Sequence, residues 1–269
     1  MSMEALASSW RAQLALEFEC DGRRTVLAKR VSDGPLVVQK PLYPEGEEVC
    51  HAIVVHPPGG IAGGDELTLE VKSEGHALLT TPGAAKWYRS AGPWARQKLV
   101  FDVEGTLEWL PRETIVFDAA LAELDCEIRL GPGARYIGWE IVCLGRTGSG
   151  ERFNKGILKT HTRVASDRKL LWLERGELDG GGALLHSPVG LGGHSVFGTL
   201  LAASPELDSA VLRECRKTGA AVTLVPGVLI ARYLGNSTEE AMAAFTRLWS
   251  VLRPAIAGRQ AIEPRIWRT

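Results

Sequence analysis

Apolar and polar residues alternate with a period of two along most of the chain, the pattern of half-buried β-strands. Leu16, Phe18 and Cys20 alternate with Glu17 and Glu19, and Asp21-Gly22 then turns the chain toward residues 25–31. Leu67, Leu69 and Val71 alternate with Thr68, Glu70 and Lys72 before a turn at Glu74-Gly75. The same rhythm recurs around Glu104-Gly105, Gly131-Pro132-Gly133 and Ser166-Asp167. Tight turns of this kind between alternating runs predict antiparallel hairpins. No strand–helix–strand unit of adequate length falls before residue 200, which argues against a parallel α/β sheet.

The period changes only near the end. Ser204-Pro205 reads as a cap followed by proline at the first helical position, with Leu207, Val211, Leu212 and Cys215 on one side and Gly219 as the exit. Ser237 with Glu240 forms a capping box. Phe245, Leu248, Trp249 and Leu252 then make an apolar stripe suited to burial, and Pro254 is expected to end the helix at Arg253. Gly180-Gly181-Gly182 and residues 190–193 are too short to be linkers. The prediction is one mainly β domain over 1–269, with many antiparallel strands and two C-terminal helices. Periodicity alone does not separate a sandwich from other stacked-sheet arrangements.

Composition narrows the function classes. A net charge of −1 with scattered basic residues gives no field for nucleic acid. No run approaches the roughly 20 apolar residues of a membrane helix. The first eleven residues lack a basic start and apolar core, so no secretory signal is expected and the chain reads as cytoplasmic. Five dispersed cysteines without a C-x-x-C read as reduced core residues. There is no P-loop, no G-x-S-x-G elbow and no H-E-x-x-H. The six histidines never fall at i, i+2 or i, i+4, which argues against a histidine-rich nickel store. Cys50-His51 with His56 is the one close Cys/His group, but on a strand the first two point to opposite faces, leaving a core cysteine and a surface histidine.

Acids inside apolar runs stand out. Glu140 sits within residues 137–142, and Glu174 follows Leu170-Leu171-Trp172-Leu173. Each either faces solvent, pairs with a cation such as Arg146 or Arg175, or lines a polar interior path. With Asp65 they are candidate weak ligands for a passing divalent ion, because a conduit needs exchangeable sites rather than a closed cage. Lys86, Tyr88 and Arg89 form an aromatic–basic cluster suited to partner contact; Arg112-Glu113 and Glu151-Arg152-Phe153 admit the same use.

The stretch His56-Pro57-Pro58-Gly59-Gly60-Ile61-Ala62-Gly63-Gly64-Asp65 is the most constrained segment: two prolines fix φ, and four glycines permit positive φ or close approach. It resembles the signature of the urease accessory protein UreD family, called UreH in some organisms. Four further blocks are similar to that family's, in family order. They are residues 80–90, residues 110–119, Gly138-Trp139-Glu140-Ile141 with Gly145-Arg146 and residues 149–153, and the ending at residues 264–269. A small departure falls at Ala85-Lys86-Trp87.

The resemblance implies a β-rich fold of stacked, β-helix-like sheets. It implies a non-enzymatic scaffold that helps insert nickel into apo-urease, in a complex with UreF and the GTPase UreG. No tightly bound cofactor is expected, only transient Ni²⁺. His56, Gly59, Gly60, Gly63 and Gly64 would carry the motif. Poor solubility without partners is expected. The alternatives from other classes are a β-rich hydrolase using His56, Asp65 and Ser90, or Ser195 beside His194, and a nickel-binding storage protein.

Overall fold

The computed structural model describes residues 9–167 and 169–268. Residues 1–8, over which no secretory pattern is expected, Arg168 beside the last predicted turn, and Thr269 of the final block lie outside the described residues. The strands in chain order begin with β1 (Arg11–Asp21), β2 (Arg24–Asp33), β3 (Val37–Val38), β4 (Val49–Val55), β5 (Glu66–Ser73) and β6 (His76–Thr80). Then come β7 (Ala85–Trp87), β8 (Ala95–Val103), β9 (Thr106–Leu110), β10 (Thr114–Val116), β11 (Ala120–Leu130) and β12 (Arg135–Leu144). The last are β13 (Gly156–Ser166), β14 (Lys169–Asp179), β15 (Val196–Ala203), β16 (Ala221–Val225) and β17 (Val228–Gly235). The helices are α1 (Ala183–His186), α2 (Ser209–Lys217) and α3 (Thr238–Ala257).

Two sheets stack face to face. One runs β14-β13-β11-β8-β5-β1-β2 and the other β16-β17-β15-β12-β9-β6-β4-β3, with β7 and β10 joined to β12 as a side path. From β4 to β13 the chain passes back and forth between them. Neighbours within each sheet are therefore parallel through the middle of the molecule, as in β5–β8, β8–β11, β4–β6 and β9–β12. Parallel neighbours ordinarily need a long crossover, usually a helix. Here the crossover is a strand of the opposite sheet. The fold is mostly β and stacked, as expected, but the sheets are mixed rather than chiefly antiparallel.

The turns explain the difference. Asp21-Gly22 makes a true antiparallel hairpin, with Gly22 at φ +65°. Glu74-Gly75, Glu104-Gly105 and Gly131-Pro132-Gly133 instead carry the chain from one sheet to the other. Their first glycines do not occupy the positive-φ region that a two-residue hairpin demands. They are needed because the corners pile on one another: Gly105 N donates to Ser73 O and Gly131 N to Val103 O. A Cβ on Gly105 would run into the carbonyl oxygens of Glu74 and Gly75.

Side chains of alternating strand residues fill the space between the sheets, among them Leu69, Phe101, Leu124, Ile128, Leu158 and Val142. A second apolar cluster lies on the outer side of the β12-containing sheet, under α2 and α3. There Phe245, Leu248, Trp249 and Leu252 are all at most 1% exposed, as the stripe predicts. Each such burial contributes about 1.5–3 kcal/mol.

Both predicted helices form, with changed ends. Asp208 caps α2 by accepting from Ala210 N and Val211 N, while Ser204 closes a local turn onto Glu206 N. Ser237 caps α3 by accepting from Glu240 N, but the helix continues through Pro254 to Ala257 and exits at Gly258 in the left-handed region. Arg253, fully buried and held by two carboxylates, fixes the last turn where proline has removed a donor. Among the cysteines, Cys50, Cys143 and Cys215 are buried and Cys126 partly so; Cys20 is exposed rather than core.

Candidate functional site

The sequence blocks converge because their strands are neighbours. Ile61 of the Pro/Gly loop bridges Trp87, β7 pairs with β10, and β10 pairs with the end of β12. Gly145 N then donates to Val116 O. The terminal block docks on the outer side: Trp267 Nε1 donates to Thr80 Oγ1, and its ring lies against Trp139 and Trp249.

The loop's glycines have separate reasons. Gly59 and Gly64 hold φ of +74° and +99°. Gly60 lies under the Tyr88 ring, and Gly63 packs on Ser90 and the Pro93 carbonyl, so a Cβ at either would overlap its neighbour. Tyr88 in turn meets Phe117 edge-on at 5.1 Å, and the Arg146 guanidinium sits over the Phe117 ring at 4.7 Å. Lys86 and Arg89 are exposed. Arg112 pairs with Glu113 at 3.6 Å. Glu151 is committed to Arg146 and to Asp118 N, while Arg152 is exposed beside it.

Beneath this surface lies a cavity of about 280 Å³, bordered by His56, Gly60, Lys86, Trp109, Arg112 and Glu140. A smaller one of about 70 Å³ shares Gln97, Leu99, Trp109 and Glu140 with it, and extends to Cys126, Thr160, Thr162 and Thr199. Glu140 is thus the carboxylate in the wall common to both. Strand parity places it between the sheets, on the same side as Tyr136 and Val142, whereas Trp139 and Ile141 face α3. Its exposed surface opens onto these cavities. Burial pushes its carboxyl up to about 7, partly opposed by the Thr114 hydroxyl, which donates at 2.5 Å. His56 Nε2 is buried without a partner among the described residues, and burial lowers its pKa, partly offset by Asp65.

Glu140 does not stand alone. Thr199 lies opposite it on β15, and Arg232 opposite Thr199 on β17, in one register row. Facing that row, Cys126, Thr162 and Glu174 align across β11, β13 and β14. Arg232 Nη1 donates to Thr199 Oγ1 at 2.5 Å and to Glu174 Oε1 at 2.7 Å, joining the two rows. The pair borders a groove of about 480 Å³ that also includes Thr160, Leu191 and Phe197. A polar seam therefore crosses an otherwise apolar interior from the loop-side cavity to this groove.

Of the three acids singled out by sequence, Glu140 and Glu174 lie on the seam. Glu174 takes Arg232 as partner, not Arg146 or Arg175. Asp65 is 2% exposed, and its two oxygens accept from Trp10 N and Ala62 N. It staples the Pro/Gly loop and does not border the seam. Arg232 was legible by the same signal as the acids, a charge within Leu229-Ile230-Ala231-Arg232-Tyr233. Thr114 and Thr199, ordinary strand residues, carry no such signal.

Neither hydrolase arrangement assembles. Asp65 is taken up by backbone groups, and Ser90 Oγ donates to Pro93 O. Ser195 Oγ contacts Asn236, and His194 Nδ1 has no partner among the described residues. Cys50 and His51 do point to opposite faces, but His51 is buried rather than on the surface, bonded to Glu45 at 2.6 Å. Among the described residues no three His, Cys, Asp or Glu side chains are grouped to hold a metal ion.

On the helix side of the same sheet lies a second polar cluster that sequence reasoning missed. Glu108, with no exposed surface, accepts from His76 Nε2, Arg253 Nε and Trp249 Nε1 at 2.6, 2.9 and 2.5 Å. Arg253 also forks onto both oxygens of Glu45. Burial alone would raise Glu45; the hydrogen bonds from His51 and Arg253 outweigh it and hold its carboxyl down to about 2.

Comparison with known proteins gives these features a family. The family model for the UreD urease accessory protein matches residues 11–268. The chain is 54% identical to a urease accessory protein UreD of Dechloromonas aromatica, over 97% of this chain and 95% of that protein. It is 52% identical to one of Azoarcus sp., over 100% of this chain and 97% of that protein. It is 49% identical to one of Pseudomonas aeruginosa, over 97% and 96% respectively. The five blocks, their convergence at one end of the stacked sheets and a family match over nearly the whole chain agree: the chain belongs to the UreD family of urease accessory proteins.

Proposed function

We propose that this chain is a non-catalytic maturation factor of the cytoplasm that docks on apo-urease with UreF and the GTPase UreG, and that Ni²⁺ moves along its polar seam. The observation that carries the passage is Glu140, a carboxylate within an apolar double sheet that borders two adjoining cavities. Among the described residues its side chain has one hydrogen bond, from Thr114, and it retains oxygen lone pairs for a passing ion. Oxygen ligands that do not close around the ion hold it weakly enough to release it. GTP hydrolysis falls to UreG, in keeping with a sequence that has no P-loop.

The surface around Lys86, Tyr88 and Arg112 at the loop-side cavity and the exposed Val189 and Leu234 at the groove are the two faces proposed for partner contact. The test uses cells carrying the cognate urease operon. Deleting this gene should abolish both urease activity and urease-bound nickel, and complementation should restore them. Glu140→Leu with Glu174→Leu should fail to restore nickel although the chain is present and bound to its partners. Unchanged nickel in the double variant overturns the passage; unchanged activity in the deletion overturns the maturation role.

A further inference from the structure

At the groove end the seam is bordered by the guanidinium of Arg232, and its placement is specific. Arg232 stands at the groove end, in register with Thr199 and Glu140, and spans the gap between the two sheets to Glu174. A guanidinium stays charged at any physiological pH. While it holds Glu174 at 2.7 Å, it opposes a divalent cation approaching the mouth of the groove. It also occupies the carboxylate that would otherwise receive that ion. The side chains of Arg232 and Glu174 are 42% and 32% exposed, so the pair sits at a mouth, and Arg232 has the groove of about 480 Å³ to swing into.

We infer that Arg232 is the gate of the seam: bridged to Glu174 it keeps divalent cations from leaving, and displaced into the groove it frees Glu174 as the next oxygen ligand. This inference rests on the passage reading above. It makes the two members of one ion pair opposite in effect. Glu174 is needed for transit, while Arg232 restrains it. An ordinary structural ion pair would make their loss equivalent, because either change breaks the same contact.

The experiment is a nickel dose–response in cells with the cognate urease operon, reading nickel per urease and urease activity. The amount of each variant and its co-purification with the partner proteins are checked in parallel. Arg232→Met, which keeps the aliphatic bulk, should lower the nickel supply for half-maximal activation about two- to fivefold, the scale of an exposed ion pair. Glu174→Gln should raise it. Arg232→Lys, which keeps the charge, should follow the unaltered protein. If Arg232→Met does not accumulate, Arg232→Gln carries the same expectation. The gate is overturned if loss of Arg232 shifts the curve in the same direction as Glu174→Gln, or not at all. Glu140→Leu in the same assay separates the two claims. A normal curve there removes the passage and the gate with it. A lost response there, with Arg232→Met behaving like Glu174→Gln, removes the gate alone.

Discussion

The two faces of one sheet treat buried charge in opposite ways. On the helix side, Glu108 accepts three hydrogen bonds and Glu45 is gripped by both Arg253 and His51. On the inner side, Glu140 has Thr114 alone among the described residues, its carboxyl is pushed up to about 7, and cavities adjoin it. A saturated cluster of this kind costs desolvation and repays it only through complete pairing, so it holds a structure in place. A carboxylate left partly unpaired beside open space costs stability, and is the kind of group retained where something passes. The difference separates a fastener, which pins α3 and the C-terminal segment to the sheet, from a candidate path.

The largest effect should come from breaking the fastener. Arg253→Met leaves Glu108 and Glu45 buried with reduced pairing, and removal of one partner from a buried pair costs about 3–5 kcal/mol. The expected result is a steep drop in thermal midpoint and in soluble yield. Glu140→Leu should be stability-neutral or stabilising, while nickel loading fails. Comparable melting of the two variants would break the distinction between the faces.

Titration sharpens the contrast because the two carboxylates are shifted in opposite directions. Glu45 in the folded chain lies at about 2, below its ordinary 4.5. Its contribution is therefore present above about pH 4.5 and lost as pH falls toward 2. Glu140 lies at about 7, above 4.5, so the native state binds the extra proton. Stability on its account falls as pH rises from about 4.5 to 7 and is level above that. A shift of this size corresponds to about 3 kcal/mol, less where the cavity admits water. Thermal midpoints measured across that range should decline in the unaltered chain and decline less in Glu140→Gln. Parallel curves would show that Glu140 is not held in its protonated form.

A smaller effect is expected at the loop that roofs the larger cavity. Gly60→Ala places a methyl group in the Tyr88 ring, forcing it away from Phe117. Overpacking of this kind costs about 1–3 kcal/mol. The shift should appear in the thermal midpoint and in a changed Tyr88 environment, with the Arg253 cluster unaffected. No change in either would mean that the ring moves freely and the loop is not braced by it.

Much of this was legible in the chain and some was not, for physical reasons. Period-two alternation marks strands whatever their partners, so β1, β5, β8 and β11 could be read directly. Pairing direction could not, because a Glu-Gly step serves a hairpin and a sheet-to-sheet corner equally well. Only the stacking of Gly105 on Glu74 and Gly75 distinguishes them. Glu140 and Glu174 were visible as charges in apolar runs. Glu108 and Arg232 give the same signal, in Leu107-Glu108-Trp109-Leu110 and beside Ile230-Ala231. Asp65 misled because a turn staple and a cavity ligand look alike in sequence. Strand register, which aligns Glu140, Thr199 and Arg232 from three distant segments, appears only in the folded chain.

The finest probe of the comparison is Thr114, the one residue among those described whose side chain is hydrogen-bonded to Glu140. Thr114→Val keeps the shape and removes the hydroxyl, and the buried position leaves little else to change. Because that hydrogen bond favours the charged carboxylate, its loss should move the Glu140 carboxyl further above 7, by about 1 kcal/mol of lost interaction. The decline of stability with pH should then extend to higher pH, and nickel loading at neutral pH should fall modestly, with recovery as the medium is made more alkaline. On the saturated face no equivalent exists, since removing one hydrogen bond from Glu108 leaves two others in place. If Thr114→Val shifted neither the pH profile nor nickel loading, the carboxylate's protonation would not govern transit. Glu140 would then act through its size and position rather than its charge.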